Sequence, residues 1–239
     1  MNSYTVSSWF TDRTGGVSRA PYTGLNLAAH VGDDASAVEA NRQLLADRIG
    51  VPLERFRFMD QVHSARVAVV DGSSPLTTPA TDALVTSETD LPLVVLVADC
   101  VPVILADVTA GVVGVAHAGR RGAAAGIVPA TVEAMTRLGA SVERIVAELG
   151  PAAAGADYEL PQELVDEVEA SLPGSASSTC HGTPSVHLHA GLERQLRDLG
   201  VTTIHRDERS TVTTEALYSY RREGTTGRFA GVVVLKEAS

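Results

Sequence analysis

The chain has 239 residues, 44% of them hydrophobic and 20% charged, the balance of a folded globule rather than a disordered segment. Its formal net charge of −10 argues against partners that present nucleic-acid phosphates or anionic lipid. Two cysteines, Cys100 and Cys180, in unlike contexts do not make a secreted disulfide scaffold, and the longest apolar stretch, residues 91–106, is broken by Pro92, Asp99, Cys100 and Pro102 and cannot span a bilayer.

Residues 5–10 read as a first strand, followed by a turn at Thr14-Gly15-Gly16. Residues 36–49 carry the signals of a helix: Ser36 and Glu39 as a capping-box pair, Val38, Leu45 and Ile49 as an apolar stripe, Gly50 as C-cap. Residues 66–71 alternate as a half-buried strand. Residues 93–98, 101–107 and 111–116 are dense in Val, Leu and Ile, as strands covered on both faces are. A helix is expected over 123–138, closed by Gly139, and a strand over 142–149, ended by Gly150-Pro151.

Two more helices are expected over 162–171 and 189–199, the second stopped by Gly200, and strands near Thr211 and over 229–235. Residues 173–184 read as a mobile surface loop. The irregular interleaving favours an α/β fold with a mixed sheet over a doubly wound parallel one. No repeat or low-complexity linker divides the chain, so residues 1–239 read as one domain. Residues 1–10 lack the basic start and apolar run of a signal peptide, and the expectation is a cytoplasmic protein without a nucleic-acid or membrane partner.

Three stretches set a strong metal ligand beside small residues: Gln61-Val62-His63-Ser64, Ala98-Asp99-Cys100 and Ala116-His117-Ala118-Gly119. Cys100 falls between two apolar strands and His117 at the end of a third, where function gathers in open α/β sheets. Two imidazoles and one thiolate form an open zinc set, and zinc held by three protein ligands brings the pKa of bound water to about 7. The same residues also allow a metal-free reading, in which His117 deprotonates Cys100 to give a thiolate nucleophile. The residues alone do not separate the two.

Several ordered motifs resemble one family: Thr14-Gly15-Gly16-Val17-Ser18, Gly24-Leu25-Asn26-Leu27, His30-Val31-Gly32-Asp33-Asp34, Asn41-Arg42, Gln61-Val62-His63 and Thr81-Asp82-Ala83-Leu84-Val85. They continue through Ala98-Asp99-Cys100-Val101-Pro102-Val103, His117-Ala118-Gly119, Gly150-Pro151-Ala152 and Tyr218-Ser219-Tyr220-Arg221-Arg222. The chain is identified on them as similar to the YfiH family, long labelled laccase-like polyphenol oxidases, over nearly its whole length. The resemblance implies layers of helix, sheet, sheet and helix, related to the cytotoxic necrotizing factor hydrolases, and zinc at His63, Cys100 and His117. It implies phosphorolysis of adenosine, inosine, guanosine and methylthioadenosine, with adenosine deamination alongside. A bacterial branch is linked to hydrolysis of amides in cell-wall precursors.

The chain departs from that pattern at Arg120, where many members carry Trp, near Ser210, where a Cys is common, and at Ala152-Ala153-Ala154. These departures bear on substrate preference rather than on the ligands.

For deamination, Asp99 is the candidate to move protons beside the metal. For phosphorolysis, Arg42 and Arg221 are the candidates for phosphate, because forked guanidinium groups match its oxygens. Asn26 and Gln61 both donate and accept, as recognition of hydroxyls and base edges requires. Tyr218 and Tyr220 would share one face of a strand and could stack a base. His181, His187 and His189 read as surface residues rather than a second metal site.

The seven histidines are too few for the mononuclear and trinuclear copper sites of a true multicopper oxidase, although copper could substitute for zinc at a single site. Rival readings are a Cys100–His117 amide hydrolase and a metal-stabilised binding module. The partners expected are purine nucleosides and phosphate, the protein a monomer or weak homo-oligomer.

Overall fold

The computed structural model describes residues 4–238; the start of the N-terminal stretch, residues 1–3, and Ser239 lie outside them. The chain begins with β1 (Tyr4–Phe10), α1 (Ala35–Ile49), β2 (Phe58–Met59), β3 (Val67–Val69), β4 (Thr77–Thr78) and β5 (Ala83–Thr86). Three strands buried from end to end follow: β6 (Leu93–Val97), β7 (Val101–Asp107) and β8 (Val112–Ala118). Next come α2 (Arg120–Ala124), α3 (Ile127–Arg137), β9 (Val146–Leu149), α4 (Gln162–Ser171), β10 (Ala176–Ser178) and β11 (Pro184–Val186). The last elements are α5 (Leu188–Asp198), β12 (Thr203–Arg206), α6 (Tyr220–Glu223) and β13 (Phe229–Glu237).

Side chains alternate faces along a strand, and the buried clusters follow that alternation into four layers. A six-stranded sheet runs β12-β9-β7-β8-β5-β3, and a three-stranded sheet runs β1-β13-β6. Val101, Val103 and Leu105 of β7 and Val112 and Ala116 of β8 pack with Val128, Val132, Val168 and Leu192 of α3, α4 and α5. The alternate residues Ile104, Val113 and Val115 meet Leu93, Val95, Val233 and Leu235 of the second sheet. The far face of that sheet, Val94, Leu96, Val232 and Val234, is closed by Leu45, Ala46 and Ile49 of α1. The order is therefore helix, sheet, sheet, helix. The larger sheet is mixed: β3 with β5 and β9 with β12 are parallel, and the other pairs antiparallel. No helix among the described residues is long and apolar enough to cross a membrane.

Several local expectations need correction. The cap of α1 is Asp34, whose Oδ1 accepts from the Ser36 amide at 2.7 Å, so the Ser36–Glu39 box does not form. An aspartate one residue ahead of the first turn outcompetes it. The single helix over 123–138 is two helices, parted where Gly126 takes a φ of 84° that α-helix does not admit. The strand over 142–149 begins as a turn of 3₁₀ helix over Val142–Arg144.

Near Thr211 there is only a bridge between Ala152 and Ser210, and the sheet edge is taken instead by β12. The stretch over 173–184 is not a plain loop: it carries β10 and the turn that pairs it with β11 in a hairpin. Tyr218 and Tyr220 do not share a strand face, because Ser219 caps α6 between them, leaving Tyr218 buried and Tyr220 62% exposed.

Candidate metal centre and cleft

Three strands deliver the site. Pro102 of β7 pairs with His117 of β8, and Ala116 pairs with Ala83 of β5. Counting by two from residues that face the second sheet (Leu84, Ile104, Val115) puts Asp82, Cys100 and His117 on that same face, at one end of the sheet. β8 runs to Ala118, so His117 sits inside the strand rather than beyond it. A strand holds its Cα more firmly than a turn would.

Asp82 organises the floor. It is fully buried, and Oδ1 meets His117 Nδ1 at 2.9 Å and accepts from the His63 amide at 2.9 Å. Oδ2 accepts from the Ser64 amide and hydroxyl, each at 2.7 Å, and from the Val62 amide at 3.3 Å. One carboxylate thus orients one imidazole and pins the loop that presents the other. His63 is held there with a φ of 61°, a conformation that persists only where the surroundings enforce it. Burial pushes the Asp82 carboxyl up, but bonds from His117 and Ser64 outweigh it and hold the group far below the usual carboxylate range.

With Nδ1 committed to Asp82, His117 turns Nε2 toward Cys100 and His63. The three ligand atoms lie within 4.8 Å of one another, and Cys100 Sγ is 3.8 Å from His63 Nε2. Tetrahedral zinc with bonds of about 2.0–2.3 Å sets such atoms about 3.5 Å apart, so the donor set fits a single ion. A carboxylate behind a ligating imidazole is the usual support for such a site. Gly119 completes the cradle: a Cβ there would stand 2.8 Å from Cys100 Sγ and 2.8 Å from His63 Cδ2. Burial alone would push the Cys100 thiol up, yet His117 and His63 bring it below its ordinary value. Burial would lower His117, and Cys100 and Asp82 raise it instead.

The floor opens into a cleft of about 580 Å³ whose walls include His30, Gln61, Leu96, Asp99, Arg120, Tyr158, Tyr220, Arg221 and Arg228.

Residues 7–236 match the family described as multi-copper polyphenol oxidoreductase laccase. The chain belongs to this family. It is 53% identical, over 98% of its length and 96% of the relative's, to a protein of Corynebacterium glutamicum named purine nucleoside phosphorylase. The fold matches the crystal structure of YfiH of Bacillus licheniformis with a TM-score of 0.91 at 30% identity, covering 97% of this chain and 93% of that one. YlmD of Geobacillus stearothermophilus gives a TM-score of 0.91 at 34% identity, covering 97% and 92%.

Within this laccase-family site, the sequence-derived residues fall into three groups. His63, Cys100 and His117 come together at the floor. Gln61, Asp99 and Arg221 line the cleft, but with atoms already engaged. The Gln61 amide pairs with the Leu96 backbone at 2.7 and 2.8 Å. Asp99 accepts from Thr211 Oγ1 at 2.6 Å and from the Arg221 amide at 2.7 Å, which ties the 211–221 segment to the strand end.

Asn26 and Arg42 are not in the cleft wall. Asn26 is buried and bonds Ala28, Asp33 and the Arg228 amide. Arg42 donates Nε to Leu27 O at 2.9 Å and lays its guanidinium 4.1 Å from the Phe58 ring centroid.

Sequence reading missed Asp82, Tyr158, Arg228 and His30. Only Asp82 carried a usable signal, an acid set directly against a wholly buried strand.

Proposed function

We propose that this chain is a metal-dependent purine nucleoside phosphorylase, with adenosine, inosine, guanosine and methylthioadenosine as its substrate class. The observation that carries the proposal is the cleft: a His–Cys–His floor that fits one ion, beneath a wall of arginines without carboxylate partners. Among the described residues none of Arg120, Arg221 and Arg228 has an acidic oxygen within 4.0 Å. The name borne by the relative 53% identical over 98% of the chain supports the same reading.

Phosphorolysis joins a phosphate oxygen to C1′ as the C1′–N9 bond breaks, and the bonding pair leaves with the purine. Hydrogen phosphate gives up the one proton that the purine gains, so the products are ribose 1-phosphate and the neutral base. The chain's task is to hold two reactants in line and balance the charge. Unpaired guanidinium groups attract the phosphate oxygens. Tyr220, exposed on the rim, and Tyr158, under Arg221 at 4.7 Å, offer aromatic surface to the base. Gln61 and Asp99 keep the cleft walls in place through bonds to backbone. Zinc is the metal proposed for His63, Cys100 and His117, with copper as a substitute; a divalent ion there supplies Lewis acidity at the cleft floor. Adenosine deamination, in which water replaces the C6 amino group and ammonia leaves, is proposed as an accompanying activity.

The test is turnover of inosine by purified protein of measured metal content. Phosphate-dependent release of hypoxanthine and ribose 1-phosphate, lost in Cys100→Ala, is expected. A folded, metal-loaded protein that leaves all four nucleosides intact would sink the proposal.

One observation favours a second reading. Asp82, His117 and Cys100 stand in the order of a carboxylate–imidazole–thiol triad, which suits a thiolate nucleophile attacking an amide carbonyl. That reading expects activity on cell-wall precursor amides that survives chelation and ends on alkylation of Cys100.

A further inference from the structure

Two hollows, not one, meet at the cleft floor. The larger, about 580 Å³, is bounded by a mixed wall that includes Leu96, Val97, Leu188 and the Tyr220 ring. The smaller, about 210 Å³, is bounded by His63, Cys100, Arg120, Arg121 and Tyr158 and by no other side chain. Four of these five residues also face the larger hollow. Arg120 and Tyr158 therefore form a shared wall, and Arg121 is what the smaller hollow has of its own.

The two linings call for different ligands. The smaller has no carboxylate and no aliphatic side chain, only two guanidinium groups, an imidazole, a thiol and a phenol. Among the described residues neither Arg120 nor Arg121 has an acidic oxygen within 4.0 Å. Such a recess suits a compact oxyanion and offers little to a purine. The larger hollow offers the apolar and aromatic surface that a nucleoside buries. The cations of the larger hollow are more committed: Arg228 gives Nη1 to Thr226 O and Gly227 O at 2.9 Å, and Arg221 lies against the Tyr158 ring.

Displacement at C1′ requires the incoming oxygen and the departing base on opposite faces of the sugar carbon. Two adjoining hollows that share His63, Cys100, Arg120 and Tyr158 give the two reactants separate places beside one floor, as displacement at C1′ requires.

Resting on the phosphorylase reading, we propose that inorganic phosphate binds in the small recess between Arg120 and Arg121, and that the nucleoside occupies the larger hollow. Arg120 then grips phosphate and, with Tyr158, forms the wall common to the two compartments.

The experiment measures inorganic phosphate binding to the metal-loaded protein by phosphorus NMR line broadening. It is run with and without a C-nucleoside, whose base is joined to the sugar by carbon and cannot be cleaved. Wild type is compared with Arg120→Ala, Arg121→Gln and Arg228→Ala, and steady-state kinetics on inosine run in parallel. Arg121 is exposed, so its variant keeps its melting temperature and reports binding alone. The expected result is phosphate KM raised about tenfold or more by Arg120→Ala and Arg121→Gln, with inosine KM within about twofold. Arg228→Ala is expected to move inosine KM instead.

Phosphate binding that needs Arg120 and Arg121 in a protein that cleaves no nucleoside would uphold the recess and overturn the phosphorylase reading. Phosphorolysis whose phosphate KM ignores both arginines and follows Arg228 would do the reverse. Absence of phosphate binding to wild type, with and without the C-nucleoside, overturns the recess.

Discussion

The floor and the rim of the cleft are built on opposite principles. At the floor, polar atoms are spoken for: Asp82 alone accepts five hydrogen bonds, Cys100 and His117 sit beside or on fully buried strands, and the loop that carries His63 is pinned by Asp82. At the rim, Arg120, Arg221 and Arg228 rise from segments between strands, and Tyr220 stands in solvent. A rigid floor is what a metal centre needs, because ligand positions must be right before the ion arrives. A rim whose cations lack acidic partners is what a charged substrate needs, because guanidinium groups in ion pairs would have to break those pairs first. The difference teaches where substitutions should abolish function and where they should only tune it.

The largest effects belong to the floor. Cys100→Ala removes one of the three proposed ligand atoms, and metal content measured after desalting should fall to background together with turnover. Gly119→Ala should do nearly the same without touching a ligand, because its Cβ would stand 2.8 Å from both Cys100 Sγ and His63 Cδ2. A Gly119→Ala protein that binds metal as wild type does would show that the floor is looser than its contacts indicate.

Asp82 comes next. Asp82→Asn keeps the shape and loses the charge, and should weaken metal affinity about 10–100-fold, as loss of a carboxylate behind a ligating histidine does. Asp82→Ala also strands three backbone amides and a buried imidazole, and should lower unfolding stability by about 3–5 kcal/mol. Competition with a fluorescent chelator reads the first, and urea denaturation of the metal-free protein the second. Equal metal affinity in Asp82→Asn and wild type would break the claim that one carboxylate sets both histidines.

This division also explains what the sequence made legible. Cys100 and His117 could be picked out because ligand-type residues beside small neighbours at strand ends are a local pattern, and His63 because it stands beside small Ser64 in the Gln61-Val62-His63 motif. The strands β6, β7 and β8 announced themselves by unbroken apolar runs. Asp82 gave only the hint of an acid set against a buried strand, because its role lies in bonds to residues 18 to 35 positions away. Edge strand β12 was hidden for the opposite reason: its alternation of exposed and half-buried residues looks like a loop. Arg221 was picked out by its motif and Arg120 by its departure from the family pattern, but Arg228 could not be told from a surface arginine, since only the fold reveals which cations lack an acidic partner.

A smaller effect concerns the ionisation of the floor. In metal-free protein, His117 and His63 draw the Cys100 thiol below its ordinary value against the opposing effect of burial. Alkylation of Cys100 by iodoacetamide should therefore rise with pH to a plateau whose midpoint lies below the ordinary thiol value of about 8.5. The sign follows from the main partner: a protonated His117 favours thiolate, so His117→Ala should move the midpoint upward. A wild-type midpoint at or above the ordinary value would mean that burial wins and the thiol stays protonated.

The smallest expected effect is also the sharpest test of where floor and rim end. By sequence, Arg42 belongs with phosphate, standing in the Asn41-Arg42 motif with a side chain suited to an anion. By placement it belongs to packing: its Nε is given to Leu27 O, and its guanidinium covers the Phe58 ring at 4.1 Å from the centroid. A cation so placed stabilises the fold by about 0.5–2 kcal/mol through the ring and the carbonyl it serves. Arg42→Ala should lower unfolding stability by that much and leave the KM for phosphate within about twofold of wild type. Arg42→Lys should recover little, because an ammonium cannot stack flat on the ring while donating sideways to the carbonyl. A tenfold rise in phosphate KM at unchanged stability would return Arg42 to the substrate and extend the rim behind the wall that now bounds it.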